Sequence, residues 1–382
     1  MSKLPFRKFH LLKLLEEYDK SNHPIDRAVH LYFRAHKALG SKDRNYIAET
    51  AYLMMRWKGL LDFLTQESSW ESRLNAIESQ DLKQTSENPE IPLHIRASFP
   101  KELYEKIVSS HDANGHQLCL DSNEKAPTCI RVNRLKTTRD ELLALWKEKY
   151  SVSPCLHSSD GIYFHEKINF SQLPEFSQGL FEVQDEGSQQ LANLVLAKPG
   201  DHVLDYCAGA GGKSLAIAPN MKQKGQLWLH DIRPWALEEA KKRMKRAGVQ
   251  NAQILLPNDP KQKKLKSKCD YVLVDAPCSG TGTLRRNPDM KWRFSAEMLE
   301  QLLGQQRAIF EKALSFVKPG GQIIYCTCSL LKEENQRQKE HFLATYPIKQ
   351  AAEEWVSLPT SGGMDGFYGV VFEKLSFPWT FS

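Results

Sequence analysis

Two cysteines stand where two predicted strands end, and a thiol in that position can do covalent chemistry on a bound substrate. Tyr271-Val-Leu-Val-Asp275 is the Val- and Leu-rich run of a strand buried on both faces, and Pro277 cannot continue a ladder. The strand therefore ends at Asp275, just ahead of Cys278 and the glycines Gly280 and Gly282. Gln322-Ile-Ile-Tyr-Cys-Thr-Cys328 ends in the same manner, at Cys328. Open α/β sheets bind their ligands outside the carboxyl ends of their strands, so Cys278, Cys328 and Asp275 are candidate catalytic residues. The bland alternative is a pair of buried core cysteines, a common use of the residue. Two thiols facing one predicted crevice argue against it.

A second constellation lies upstream. Asp205-Tyr-Cys-Ala-Gly-Ala-Gly-Gly-Lys-Ser214 joins a strand to a helix, and its glycines let the backbone turn sharply and approach a ligand closely. A phosphate-binding loop is excluded by spacing, because no glycine precedes Gly212-Lys213 at the required distance, and G-x-G-G fits the dinucleotide pattern poorly. Carboxylates discriminate further. Asp231 closes the next strand, 22 residues after Gly209, where it can accept hydrogen bonds from ribose hydroxyls; Asp259 follows the third strand and Asp275 ends the fourth. One such aspartate is usually a turn or cap residue. Three at successive strand ends suit a nucleoside with no phosphate to hold, such as S-adenosylmethionine.

The elements that must position these groups alternate strand and helix from Gly187 onward, the mark of a doubly wound parallel sheet. Strands are predicted at 202–207, 226–231, 253–256, 271–275 and 322–328, with a last one at 367–372. Helices run from Pro234 to Gly248 and from Ser295 to Val317, the latter stopped by Lys318-Pro-Gly-Gly321. Ahead of this domain (176–382) lies a small α+β module (98–175). It has a strand at 128–133, a helix at 138–149 and a hairpin strand at 161–165, and it carries Arg131, Arg134, Lys136 and Arg139 close together. Residues 1–75 are helical. Val29, Leu31, Tyr32, Ala35 and Leu39, then Ile47, Ala51, Tyr52, Met55, Leu60 and Leu61, form apolar stripes of a small bundle. Arg44, Arg56 and Lys58, with Trp57 interleaved, are as fit for nucleic acid as for a solvated face. The polar stretch 76–97, broken twice by proline, is expected to be a linker.

Composition narrows the class. The 382 residues are 41% hydrophobic and 26% charged, ordinary for a soluble globular protein. No apolar run is long enough to span a membrane, and Met1 to Lys20 is too charged for a signal peptide, so a cytoplasmic protein is expected. The eight cysteines are accordingly expected to be reduced thiols. There is no CxxC pair, and no metal site is expected. The net charge of +6 is unevenly placed. Residues 1–60 hold 12 Lys and Arg against six Asp and Glu, and Lys261-Gln-Lys-Lys-Leu-Lys-Ser-Lys268 adds five lysines in eight positions. Two basic zones make a polyanion, RNA or DNA, the expected partner.

The Gly-rich loop, Asp275-Ala-Pro-Cys-Ser-Gly-Thr-Gly282 and Thr327-Cys-Ser329 together resemble the RNA (cytosine-5) methyltransferases, the family that includes the bacterial 16S ribosomal RNA enzymes. Arg131-Val-Asn-Arg-Leu-Lys-Thr137, Val183-Gln-Asp-Glu-Gly-Ser-Gln189 and Asp365-Gly-Phe-Tyr368 are similar too, so the likeness is strongest from about 128 to 375. It implies that Cys207, Ala208, Gly209, Ala210, Gly211, Gly212, Lys213, Asp231, Asp259 and Asp275 contact S-adenosylmethionine. It further implies that Cys328 is the nucleophile, that Cys278 helps release product, and that Asp275 also meets the base. Three positions depart from the family: Ala210 stands where proline is usual, Ala236 where arginine is common and Met364 where cysteine is common.

These roles fit the chemistry. Cytosine C5 is a poor nucleophile until a thiolate adds at C6 and turns the ring into an enamine; that splits one hard step into two easier ones. The expectation is an α/β enzyme that methylates C5 of a cytosine in RNA, ribosomal RNA first and transfer RNA second, from S-adenosylmethionine. Two alternatives stay open: an inactive RNA-binding assembly factor, and a DNA methyltransferase, which would use Cys278 as its nucleophile.

Overall fold

The computed structural model describes residues 4–376, and its chain divides into two compact units, 1–125 with 283–296, and 126–282 with 297–382. In the first unit, helices Phe6–Asp19, Ile25–Ala35, Ser41–Thr65 and Trp70–Ser79 bury Leu11, Leu15, Ile25, Tyr32, Ile47, Ala51, Met54 and Met55 against one another. Most of the expected stripes are thus core, with Leu31 and Ala35 left exposed and Tyr52 half-buried.

Residues 76–97 are not a linker. After Ser79 they form helices Leu82–Ser86 and Leu93–Arg96, and Leu82 and Ile91 pack with Trp57, Leu60 and Leu61. Pro92 does not break structure here, since it stands at the N-cap of a helix. Helices Lys101–His111 and Gly115–Asp121 also belong to this unit, so its boundary falls near 125 rather than 97. The segment 283–296 belongs to it as well. The Asp289 carboxylate accepts from the Ile25 amide (3.1 Å), and Lys291 Nζ donates to the Arg56 carbonyl and Asn123 Oδ1, both at 2.7 Å.

The second unit contains two sheets. The smaller has strands β1 (Thr128–Val132), β2 (Val152–Pro154), β3 (Gly161–Phe164) and β4 (Phe181–Val183), antiparallel in the order β2-β3-β1-β4. Helix Arg139–Trp146, opened by a Thr138–Glu141 capping box, covers it. Ile130, Val132, Leu142, Trp146, Ile162, Phe164 and Phe181 fill the space between. Because β4 is its edge strand, the module runs past the expected limit of 175.

The larger sheet holds the parallel strands β5 (His202–Asp205), β6 (Gln226–His230), β7 (Ala252–Leu255), β8 (Cys269–Asp275) and β9 (Val317–Thr327). Helices Gly212–Ile217, Pro234–Ala247 and Ala296–Leu314 lie among the connections. At one edge β10 (Ile348–Gln350), β11 (Trp355–Ser357) and β12 (Phe367–Lys374) pair antiparallel, giving the order β10-β12-β9-β8-β5-β6-β7. The sheet is therefore doubly wound as expected, but mixed rather than wholly parallel. Lys318–Gly321, expected to lie between helix and strand, instead bulges out of β9: Val317 pairs with Cys269 and Gln322 already with Tyr271. Among the described residues no helix is long and apolar enough to cross a membrane.

Candidate functional site

Strand β5 delivers the Gly-rich loop to the carboxyl end of the sheet, between β6 and β8. Backbone bonds from Tyr206 to the Leu273 carbonyl and from Ala208 to the His230 carbonyl, each 2.8 Å, stitch the loop to both neighbours. Gly211 takes φ +78° and opens the helix that carries Lys213; a Cβ there would press on Leu229, Ala240 and Met244 at 3.2 Å. Ser214 donates to Asp205 Oδ2 at 2.6 Å, whereas Asp205 Oδ1 is buried without a partner. Burial raises the Asp205 carboxyl to about 7.

The loop borders a cavity of about 740 Å³, within the range of small-ligand sites. Asp205, Cys207, Ala208, Gly209, Ala210, Gly212, Lys213, Asp231 and Asp275 line it. Asp231, just past β6, accepts from the Gly209 amide (2.8 Å) and from the Arg233 guanidinium (2.9 and 3.0 Å). Its pKa is lowered: burial works against that, and the bonds from Arg233 and Gly209 outweigh it. Lys213 Nζ meets Asp275 Oδ2 at 2.5 Å; burial alone would depress the ammonium, but Asp275 holds it above its ordinary value. Burial and the surrounding aspartates push the Cys207 thiol up, which makes it a neutral wall rather than a nucleophile.

Asp275 and Pro277 carry this cavity toward the two thiols. Cys278 Sγ and Cys328 Sγ lie 3.4 Å apart, both half-buried, and the Cys328 amide donates to Cys278 Sγ at 3.4 Å. The hydrogen bond to Cys328, with burial second, holds the Cys278 pKa well above that of a free thiol. Cys326, two residues before Cys328, is fully buried in the core of the large sheet. A buried carboxylate fixes the Pro-Cys turn. Glu334 accepts from the Ser279 amide (2.9 Å), the Ser279 hydroxyl (2.5 Å) and Gln306 Nε2 (2.9 Å), while Gln306 also donates to the Pro277 carbonyl. Gly282 closes the turn against Gly366, with no room for a Cβ.

Eight of the ten residues predicted to contact cofactor line the cavity. Gly211 does not; it supplies the turn. Asp259 does not either: it follows Asn258, at φ +66°, and accepts from the Lys261 amide at 2.9 Å, just ahead of the short helix Lys261–Leu265. Sequence reasoning missed Gln184, Arg233 and Arg243, which also line the cavity, and Ile232, 80% exposed at its rim. The acidic residue before Ile232 was the available signal for that position; Arg243 offered none, since it reads as one basic residue on a solvated helix. Of the basic residues in the module, Arg131 is buried, and Arg134, Lys136 and Arg139 are bonded to Asp160, to the Gln178 carbonyl and to the Ser158 carbonyl. In the helical unit, Trp57 is core and Arg56 is committed to the Arg285 carbonyl. The five lysines of 261–268 are all exposed. Among the described residues no group of three His, Cys, Asp or Glu could hold a metal ion.

Residues 192–368 match the family model described as 16S rRNA methyltransferase RsmB/F, and residues 99–171 match the ferredoxin-like domain of the same family. The chain belongs to that family. Ribosomal RNA small subunit methyltransferase B of Proteus mirabilis is 32% identical over 286 residues, 73% of this chain and 64% of that protein. The protein of the same name from Vibrio vulnificus is 35% identical over 285 residues, 72% of this chain and 66% of that one. The chain thus spans just under two thirds of the length of these relatives. In fold it is similar to the crystal structure of PH0851 (TM-score 0.82, 22% identity, 97% of this chain and 99% of that one). It is also similar to a methyltransferase homolog protein from Pyrococcus horikoshii (TM-score 0.64, 25% identity, 74% of this chain and 98% of that one). The RsmB/F enzymes are S-adenosylmethionine-dependent methyltransferases with a Rossmann-like sheet, as the motifs implied.

Proposed function

We propose that this protein methylates C5 of a cytosine in ribosomal RNA, in the cytoplasm, through a covalent bond between Cys328 and C6 of the base. The observation that carries the reading is the pair of thiols 3.4 Å apart at the ends of two adjacent parallel strands, beside a strand-end cavity. S-adenosylmethionine fits the residues of that cavity. Asp231 offers a carboxylate for ribose hydroxyls, Ile232 an exposed apolar face for adenine, and Asp205 Oδ1 an unpartnered acceptor. Bound there, the cofactor supplies an electrophilic methyl group.

The chain's own residues do the rest. Cys328 Sγ adds to C6 and makes C5 nucleophilic. The Cys278 thiol, its pKa raised by the hydrogen bond with Cys328 and by burial, lies 3.4 Å from the Cys328 sulfur, within reach of the adduct that sulfur forms. Asp275, anchored on Lys213, accepts from the exocyclic amino group of the base and so orients the ring over Cys328. After methyl transfer Cys278, its own proton passed to solvent, takes the C5 proton as a thiolate; the C6–S bond breaks and Cys328 leaves as a thiolate. The target base must be unpaired or flipped to reach the thiols.

The test is transfer of labelled methyl from the cofactor to small-subunit RNA, transfer RNA and DNA from cells lacking the protein. The proposal expects label in 5-methylcytosine of ribosomal RNA. Label only in transfer RNA or DNA would overturn the substrate, and label at another atom would overturn the chemistry.

A further inference from the structure

The small α+β module reaches the cofactor loop with charged groups that its own fold does not need. Arg131 on β1 and Glu182 on β4 are directly paired across the two strands, so both side chains leave the same face of the small sheet. Both are nearly fully buried, at 4% and 3% exposure. Arg131 Nη1 donates to the Gly212 carbonyl at 2.9 Å and to Gln184 Oε1. Glu182 holds Arg243 by two bonds of 3.0 and 3.1 Å, and Arg243 Nη1 donates to the Ala210 carbonyl at 2.9 Å. Two guanidinium groups therefore grip two carbonyls of the loop, on either side of Gly211. Carbonyls in a glycine-rich turn are free to swing, and each swing also moves the amide of the following residue.

We propose that Arg131 and the Glu182–Arg243 pair are positioning residues for the cofactor, through which the small α+β module holds the loop 207–213 in its binding conformation. The proposal rests on the reading of this cavity as the S-adenosylmethionine site. It also bears on Ala210: a proline there would stiffen the loop covalently, and here Arg243 fixes the carbonyl of that residue by a charged hydrogen bond. Burying a guanidinium costs free energy unless its donors are met, and Arg131 spends its donor on the loop and on a residue that itself lines the cavity.

The experiment uses the full chain, with S-adenosylhomocysteine as the calorimetric probe and S-adenosylmethionine in turnover. Losing one charge-assisted bond to a loop carbonyl should weaken Kd and raise the cofactor KM roughly tenfold in Arg131→Met. At saturating cofactor, kcat should stay within about threefold and the KM for RNA should not move. Arg131→Lys keeps the charge without the planar fork and should recover part of the loss. A merely structural arginine would instead lower all parameters together. If Arg131→Met fails to fold, Arg131→Lys and Arg243→Met carry the test, each with an expected rise in Kd of about threefold or more. Kd values within twofold of wild type in the folded variants would overturn the inference alone. No binding by the wild-type chain would overturn the reading of the cavity, and this inference with it.

Discussion

Replacing Glu334 by Gln should loosen the Cys278 turn without touching the cofactor cavity. The buried carboxylate accepts from the Ser279 amide, the Ser279 hydroxyl and Gln306 Nε2. A carboxamide of the same shape turns one acceptor into a donor, so the Ser279 hydroxyl must reverse to accept from it, and all three bonds lose their charge. Charge-assisted bonds are worth about 1.5–3 kcal/mol against about 1 kcal/mol for neutral ones, so each loses roughly 1 kcal/mol. The local cost of the substitution is therefore about 2–3 kcal/mol. Local opening free energies are read by amide exchange. At about 1.4 kcal/mol per decade, protection of the Ser279 amide should fall roughly 30- to 150-fold. Methyl transfer should drop roughly tenfold or more, because Cys278 is the residue before Ser279, while the cofactor KM stays unchanged, since Glu334 does not line the cavity. Protection within about threefold of wild type, together with a wild-type transfer rate, would refute the claim that this carboxylate holds the turn.

Gly282→Ala should be damaging, because its Cβ would lie 2.1 Å from the Gly366 carbonyl oxygen and 3.0 Å from that of Cys328. Overpacking of this kind costs about 1–3 kcal/mol, and a thermal melt unchanged to within a degree would contradict the contact. Asp205 gives a pH dependence of defined sign. Its folded pKa of about 7 exceeds an unfolded value of about 3.9, so the folded state holds the extra proton between them. Its contribution is most favourable below about pH 4 and is lost progressively as pH rises toward 7. Urea unfolding from pH 5 to 8 should show this fall in wild type and a flatter profile in Asp205→Asn. Parallel profiles would count against it. Asp231→Asn should raise the cofactor KM roughly tenfold, since one of its oxygens can no longer accept; steady-state kinetics at varied cofactor check this.

The central strands of the large sheet were more legible than the elements around them. Strands β8 and β9 announce themselves because a parallel strand covered on both faces is a continuous apolar run, and Asp275 and Thr327 end those runs where the side chains turn polar. The edge strands β10 and β11 are three residues each, too short to show any period. Residues 76–97 misled because proline and polar residues mark a helix start as readily as a break; the decisive contacts, of Leu82 and Ile91 with Trp57 and Leu60, are made across the chain. Asp259 stands outside the residues that line the cavity: its strand stops at Leu255, and past the turn at Asn258 it accepts from the Lys261 amide. The place of Arg131 was equally hidden: it reads as one more basic residue of the small module, because its partners, Gln184 and Gly212, lie 53 and 81 residues away.

The central claim concerns the division of labour between two thiols, and trapping of the RNA adduct tests it most directly. Cys328→Ala and Cys278→Ala would each be incubated with cofactor and the RNA that wild type methylates, then resolved on a denaturing gel. The account predicts no transfer and no adduct from Cys328→Ala, with an accumulating covalent RNA–protein species from Cys278→Ala, because addition at C6 proceeds while release does not. An adduct from Cys328→Ala and none from Cys278→Ala would reverse the roles and contradict it.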